Sequence, residues 1–330
     1  MAFNQFAAIA EETVWGTPVA RTKFMKVHEG SSLEQTADRE IATIMSGNIG
    51  ADAEAQFDKG QRGEGKLVFP VSYDDVSGLT IIKHAFGLYA VTGAGPYIHT
   101  FTRKVGPPFA AGSVSAATSL SVELNYELPD TNLQARLLEG AMVKTLSLGW
   151  EAESEIKAEA EFIGERVTQI VKTASPTYPV YDTYLQKFSQ AGIKFDAGAE
   201  MASIVIGFNM KLDNGFQPLV TLGSVNTRQP RRRGKGQLSG TIKMLWDGTA
   251  SQANAMWTKY VANTQTGMVV TLTGPTNYSW VLTIANAKYS ASRLTPEEGQ
   301  LQTVEFDFLA LQDPTNSMVK LVASNQTITV

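Results

Sequence analysis

Cysteine is absent from the 330 residues, which excludes disulfide frameworks and thiolate metal sites and fits a reducing compartment. Histidine is nearly absent too: His28, His84 and His99 are the three, and none has another histidine two to four positions away. Imidazole-rich metal centres and histidine-based hydrolases therefore have little to work with. No Ser or Thr stands in a nucleophile elbow, no P-loop is present, and no G-x-G-x-x-G follows a strand. Gly93-Ala94-Gly95-Pro96 is a turn, because its proline forbids a phosphate-holding helix start. The sequence thus predicts no catalytic residue, no cofactor and no metal. Apolar runs long enough to cross a bilayer are also missing. The opening MAFNQFAAIAEETVWG has no basic n-region and carries Glu11 and Glu12 where a signal peptide stays apolar, so the chain is expected to be soluble and cytoplasmic. A formal net charge of −4 gives no general attraction for polyanions.

What is present is repetition. Hydrophobic residues make up 43% and charged residues 18%, ordinary for a globular chain with room for two cores. Arg62–Leu67 reads RGEGKL and Arg233–Leu238 reads RGKGQL, each opening an alternating run (KLVFPVSY, QLSGTIKMLW) that leads to an acidic helix start. A period near half the chain means a duplicated domain. In the first copy Asp74 or Asp75 caps a helix whose face is Val76, Leu79, Ile82 and Phe86, with Gly87 ending it. In the second, Asp247 caps a helix with a stripe of Ala250, Ala253, Trp257 and Tyr260 or Val261. The remaining segments alternate, among them YIHTFT, SLSVELNYEL, the stretch Gly140–Gly164, SIVIGFNMKL with a hairpin turn at Asp213-Asn214-Gly215, GMVVTLTG, YSWVLTIANAKYS and LQTVEFDFLALQ. The expected fold is β-rich (α+β): two tandem β-barrel or sandwich domains, each with one flanking short helix. The divisions are an N-terminal arm at 1–23, domain 1 at 24–170, a linker at 171–187, and domain 2 with a C-terminal segment at 188–330. Residues 37–62 and 214–235 are read as long loops.

Two charge patterns stand out. In WEAESEIKAEAEF (Trp150–Phe162) a continuous strand puts Glu151, Glu153, Glu155, Glu159 and Glu161 on one face, although Ala and Glu also favour helix. Glu305 and Asp307 echo them. The face is either simply solvated or an acidic wall. The second pattern pairs a basic loop (Arg228, Arg231, Arg232, Arg233, Lys235) with an acidic one at the matching place in the first copy (Asp38, Glu40, Asp52, Glu54, Asp58). Such loops are solvated or meet opposite charges on a neighbouring subunit.

The motifs EETVWGTPVARTKFMKV, GQRGEGKLVFPVSYDD, LEGAMVKTLSLGWEAESEIKAEAEFIGE and VEFDFLALQDPTNSMVKL, in that order and over most of the chain, resemble those of siphophage-like bacteriophage major tail tube proteins with a duplicated tube domain. The resemblance implies rings of three chains with pseudo-sixfold symmetry, stacked into a hollow tube in the virion tail and assembled in the host cytoplasm. It implies a lumen lined by the acidic residues above that conducts DNA, with the two charged loops bridging rings. Implied partners are further copies of the chain, the tape-measure protein and DNA transiently in the lumen, and tail terminator and tip proteins, with no membrane insertion. A secretion-tube or baseplate-hub relative shares this logic. A β-rich ligand- or carbohydrate-binding module is the other alternative.

Overall fold

The computed structural model describes residues 6–41, 56–103, 119–126, 135–151, 154–174, 176–179, 185–196, 204–221, 224, 226–232, 234, 236–246, 252–295, 302–312, 317–327 and 330. Strands dominate, as the alternation predicts. The first half contains β1 (Phe6–Glu12), β2 (Lys23–Lys26), β3 (Ser32–Ile41), β4 (Gln56–Pro70), α1 (Val76–Phe86), β5 (Gly87–Thr92), β6 (Tyr97–Arg103), β7 (Ser119–Asn125), β8 (Ala135–Glu151), β9 (Lys157–Gly164) and β10 (Arg166–Ile170). The second contains β11 (Ala191–Phe195), β12 (Val205–Asp213), β13 (Phe216–Leu219), β14 (Arg228–Arg232), β15 (Gln237–Leu245), α2 (Gln252–Val261), β16 (Thr266–Thr273), β17 (Ser279–Thr295), β18 (Thr303–Ala310) and β19 (Val319–Asn325).

Eight strands form one antiparallel run in the order β3-β4-β9-β8-β12-β15-β18-β17, four from each half. The long strands β8 and β17 serve two sheets. Their N-terminal halves leave this run and join β1-β7-β8-β10 and β11-β16-β17-β19. The hairpin β5–β6 adds to β19, so the first half also pairs with the second there.

The pairing register recurs. Ala141 stands opposite Leu120 and Ala287 opposite Thr266, a shift of 146 positions on both strands (287 − 141 and 266 − 120). The same shift relates Thr145↔Glu161 to Ala291↔Asp307, and both pairs follow a bulge, after Val143 and after Tyr289. Across the sheet, the row Leu33–Gly65–Phe162–Val143 corresponds to Met210–Gly240–Phe308–Tyr289. Glycine is required in both rows. A Cβ on Gly65 would lie 2.5 Å from the Leu33 side chain, and one on Gly240 would lie 2.6 Å from the Phe308 ring.

This register corrects the motif alignment. RGEGKL lies wholly inside β4, whereas RGKGQL straddles the start of β15, and the counterpart of Gly65 is Gly240, not Gly236. Local spelling placed the repeat four residues out, because the large neighbours that demand a glycine come from other strands.

α1 matches its sequence. Asp75 is extended and accepts the Ser77 N–H at 2.9 Å, and Gly87, at φ 87°, closes the last turn onto Lys83. Its burial is wider than one stripe, since Leu79, Ile81, Ile82, Ala85 and Phe86 are all fully buried while Val76 is only half-buried. α2 departs from expectation. Ala253 and Met256 are buried and Tyr260 packs on the core, but Trp257 is 39% and Val261 66% exposed. The buried line is therefore 253, 256 and 260, which keeps helical spacing but is rotated from the predicted stripe. Asp247 and Ala250 lie outside the described residues.

Several segments read as irregular are strands. Residues 6–12, placed in an N-terminal arm, form buried β1 between β2 and β7. Of the expected loop 37–62, residues 37–41 and 56–62 belong to the paired strands β3 and β4, and 214–235 contains the two-stranded sheet β13–β14. Asp213-Asn214-Gly215 does turn, with the Asp213 carboxylate accepting the Gly215 N–H at 2.7 Å, but it joins strands of different sheets and is not a hairpin. From the segment read as a linker, Gln186 inserts between Val71 and Ile156, bonded to both backbones at 2.9 and 3.0 Å.

Candidate assembly surface

The eight-stranded run has two unlike faces because its strands alternate. One face holds Leu67, Phe69, Leu146, Leu148, Trp150, Ala158, Ala160, Phe208, Met210, Ile242, Phe306 and Phe308, each 2% exposed or less. The other is polar. Glu151, Glu159, Glu161, Glu305 and Asp307 all lie on it, brought together from β8, β9 and β18 across the joint between the halves.

The continuous acidic strand of the sequence reading is not present. β8 ends at Glu151 and β9 begins at Lys157, with Gly149 opposite Lys157, so the chain reverses between them. Glu155 sits in that reversal, its backbone paired with that of Lys187 in a single antiparallel β-bridge and its carboxylate within 3.2 Å of His28 and 3.6 Å of Lys157. Glu153 lies outside the described residues. A strict i, i+2 pattern is equally good for one strand or for the two arms of a hairpin, and only pairing separates them.

Cations are interleaved with these carboxylates. Lys66 holds Glu159 at 2.8 Å, and Thr145 donates to Glu161 at 2.9 Å. Arg293 reaches both Glu305, at 3.2 Å, and Asp307, at 2.7 Å, while Lys243 stands opposite Glu305 on β15. A small cavity of about 240 Å³ opens among Ser32, Glu34, Glu64, Lys66, Lys144 and Glu161 near the β3 edge.

The charged hairpins lie side by side in one chain. Thr227 donates its N–H and its hydroxyl to the Gln61 carbonyl, each at 2.8 Å. Asp38 is held by Arg62 at 2.8 Å, across β3–β4. Arg228 and Arg231 are exposed, whereas Arg232 is anchored, donating to the Asn214 carbonyl at 2.9 Å with its guanidinium 5.8 Å from the Phe216 ring centre. Burial lowers the Arg232 pKa. Glu40 and Asp58 are placed only as strand positions, and Asp52, Glu54, Arg233 and Lys235 lie outside the described residues.

Sequence reasoning passed over Glu12. It is 1% exposed, and its carboxylate accepts the backbone N–H groups of Gly16 and Gly140 at 3.0 Å and the hydroxyls of Ser119 and Ser121 at 2.5 and 2.8 Å. Trp15 completes the knot by donating to the Gly140 carbonyl at 3.1 Å. The signal was the EETVWG turn, which supplies Gly16, but the other three partners lie more than 100 residues away. Glu11, its neighbour, faces α1 and meets Lys83 at 2.9 Å and His84 at 3.0 Å. Burial would raise the Glu11 pKa, yet those two partners hold it at about 2. Burial drives His84 towards its neutral form, so Lys83 is the cation that keeps Glu11 ionised at neutral pH.

Among the described residues no three His, Asp or Glu side chains converge as a metal site, and no helix is long and apolar enough to cross a membrane. What the geometry provides is a sheet with one apolar and one charged face and a knotted N-terminal strand, which suits a building block. A comparison with curated proteins finds no match. Residues 2–315 match the phage tail tube protein family, and a match over nearly the whole chain means that this β-rich protein belongs to that family and is a structural subunit of the virion tail.

Proposed function

We propose that this chain is a two-domain tube subunit, three copies of which close into a pseudo-sixfold ring whose stacked repeats form a DNA conduit, with no catalytic role. The observation that carries this is the recurrence of one strand register at a constant shift, four strands per half in a single continuous sheet. Two like halves joined edge to edge make a heterologous contact, and such contacts close by rotation.

Strand arithmetic favours three copies. About twenty-four strands at ~4.8 Å spacing and ~40° tilt give a barrel roughly 50 Å across its backbone. Two copies, about sixteen strands, give roughly 30 Å, which side chains about 5 Å long on each wall reduce to about the width of a duplex. In this reading the charged face lines the lumen, with Glu151, Glu159, Glu161, Glu305 and Asp307 directed inward. Duplex DNA carries a phosphate charge about every 1.7 Å, so a free cation on the wall would retain it. Lys66 and Arg293 are each tied to carboxylates of the same face, which withdraws these two cations from the phosphates. In the same reading Asp38, Arg228 and Arg231, on the two charged strand pairs, meet a stacked ring.

Electron microscopy of the purified protein, viewed down the particle axis and refined to side-chain detail, tests this. Threefold rings with the five carboxylates turned into a hole wider than a duplex are expected. Compact monomers that never associate at high concentration would overturn the reading.

A further inference from the structure

One edge of the eight-stranded run belongs to β17 and the other to β3. Among the described residues, β17 beyond Ala287 pairs only with β18, and β3 pairs only with β4. Bare edges are templates for another strand. Within the chain, the positions equivalent to these two edges are already joined. The counterpart of the β17 edge is the C-terminal half of β8, the counterpart of β3 is β12, and β8 pairs with β12.

We infer that the β17 edge of one copy pairs antiparallel with the β3 edge of a second copy, in the register of β8 with β12. That register is specific. Ser147 stands opposite Lys211 and Leu148 opposite Met210. Carried across the 146-position shift (293 − 147, 294 − 148) and the shared rows, it sets Arg293 opposite the next copy's Glu34 and Leu294 opposite the next copy's Leu33.

Two independent features of the single chain fit this. The first is charge: the predicted pair joins an arginine to a glutamate at directly opposed positions, an arrangement that stabilises a cross-strand contact. The second is exposure. Leu148 is 1% exposed because β12 covers it, whereas its equivalent Leu294 is 50% exposed at the bare edge. Leu294 points to the apolar side of the sheet, flanked across β17–β18 by buried Val304. A second copy's β3 is the strand that buries it. The inference rests on the tube-subunit reading and specifies its contact.

Because the chain contains no cysteine, engineered thiols report the register directly. Opposed residues have Cβ atoms about 4.5–5.5 Å apart, and a disulfide takes about 3.5–4.5 Å, so the closer of two alternating pair types is the better site. Two double variants cover both types: Glu34→Cys with Arg293→Cys, and Gln35→Cys with Ser292→Cys. Thr36→Cys with Thr295→Cys, four residues out of register and roughly 13 Å apart, is the control. Mild oxidation of assembled protein is expected to give disulfide-linked chains for at least one test variant and none for the control, with rings confirmed by microscopy on the same samples. Rings or tubes that cross-link only in the control, or in no variant, overturn this register while leaving the tube reading intact. Unmodified protein that forms no assembly and variants that give no cross-link overturn both.

Discussion

The carboxylate of Glu12 accepts the backbone N–H of Gly140 at 3.0 Å, across 128 positions of chain. Gly140 is at φ 66°, and a Cβ there would lie 2.9 Å from the Trp15 ring. The buried charge, the left-handed glycine and the tryptophan lid therefore depend on one another. Glu12→Ala leaves four donors without their acceptor, so a loss of about 3–5 kcal/mol is expected. Glu12→Gln keeps part of the set and is expected to lose less. Urea unfolding of both variants checks the order, and equal midpoints for Ala and wild type would refute the role.

Acid and base act with opposite sign on two carboxylates at the two ends of α1. Burial pushes the Asp75 pKa up to about 7, although the backbone N–H groups of Gly78 and Ser77 favour its ionised form. Between about pH 4 and 7 the folded chain keeps a proton that the unfolded chain has released, so Asp75 makes stability fall as pH rises through that window and level off above it. The span corresponds to at most about 4 kcal/mol. Glu11 does the reverse. Its folded pKa of about 2 lies below the ordinary glutamate value of about 4.5, so its contribution is present above about 4.5 and is lost as pH falls towards 2. Denaturation midpoints measured from pH 3 to 8 should lose the neutral-side slope in Asp75→Asn, which keeps an acceptor for Ser77, and lose part of the acid-side slope in Glu11→Gln.

The rotated stripe of α2 predicts unequal costs for two adjacent large residues. Met256→Ala removes a side chain that is 1% exposed, and a loss of about 2–4 kcal/mol is expected. Trp257→Ala removes one that is 39% exposed, and in the isolated chain a loss under about 1 kcal/mol is expected. The sequence reading implied the opposite order, so thermal unfolding of the two variants decides between them.

How much was legible varies by element, for physical reasons. α1 could be read because its determinants are local: Asp75 caps Ser77 two residues on, and Gly87 closes a turn begun at Lys83. The acidic face was legible in the same way, since Glu159 and Glu161 alternate with buried Ala158 and Ala160, and Glu305 and Asp307 with buried Val304, Phe306 and Phe308. The break at Glu155 was not, because a hairpin keeps the same parity as a straight strand. Phe6–Glu12 did not read as a core strand because Glu11 and Glu12 lie in it, and the groups that accommodate them, Lys83, His84, Ser119, Ser121 and Gly140, come from distant segments.

By itself, the sequence determined that the chain is β-rich, where α1 starts and stops, and how Glu159, Glu161, Glu305 and Asp307 alternate with apolar neighbours. These follow from side-chain periodicity and capping, both of which act over a few residues. The tertiary structure decided which glycine matches which, since Gly65 and Gly240 are equated by the strand rows they share and not by the spelling around them. It also decided which carboxylates share a face and which edges stay bare. Strand partners are chosen across the whole chain, and a slip of one residue turns every side chain to the other side.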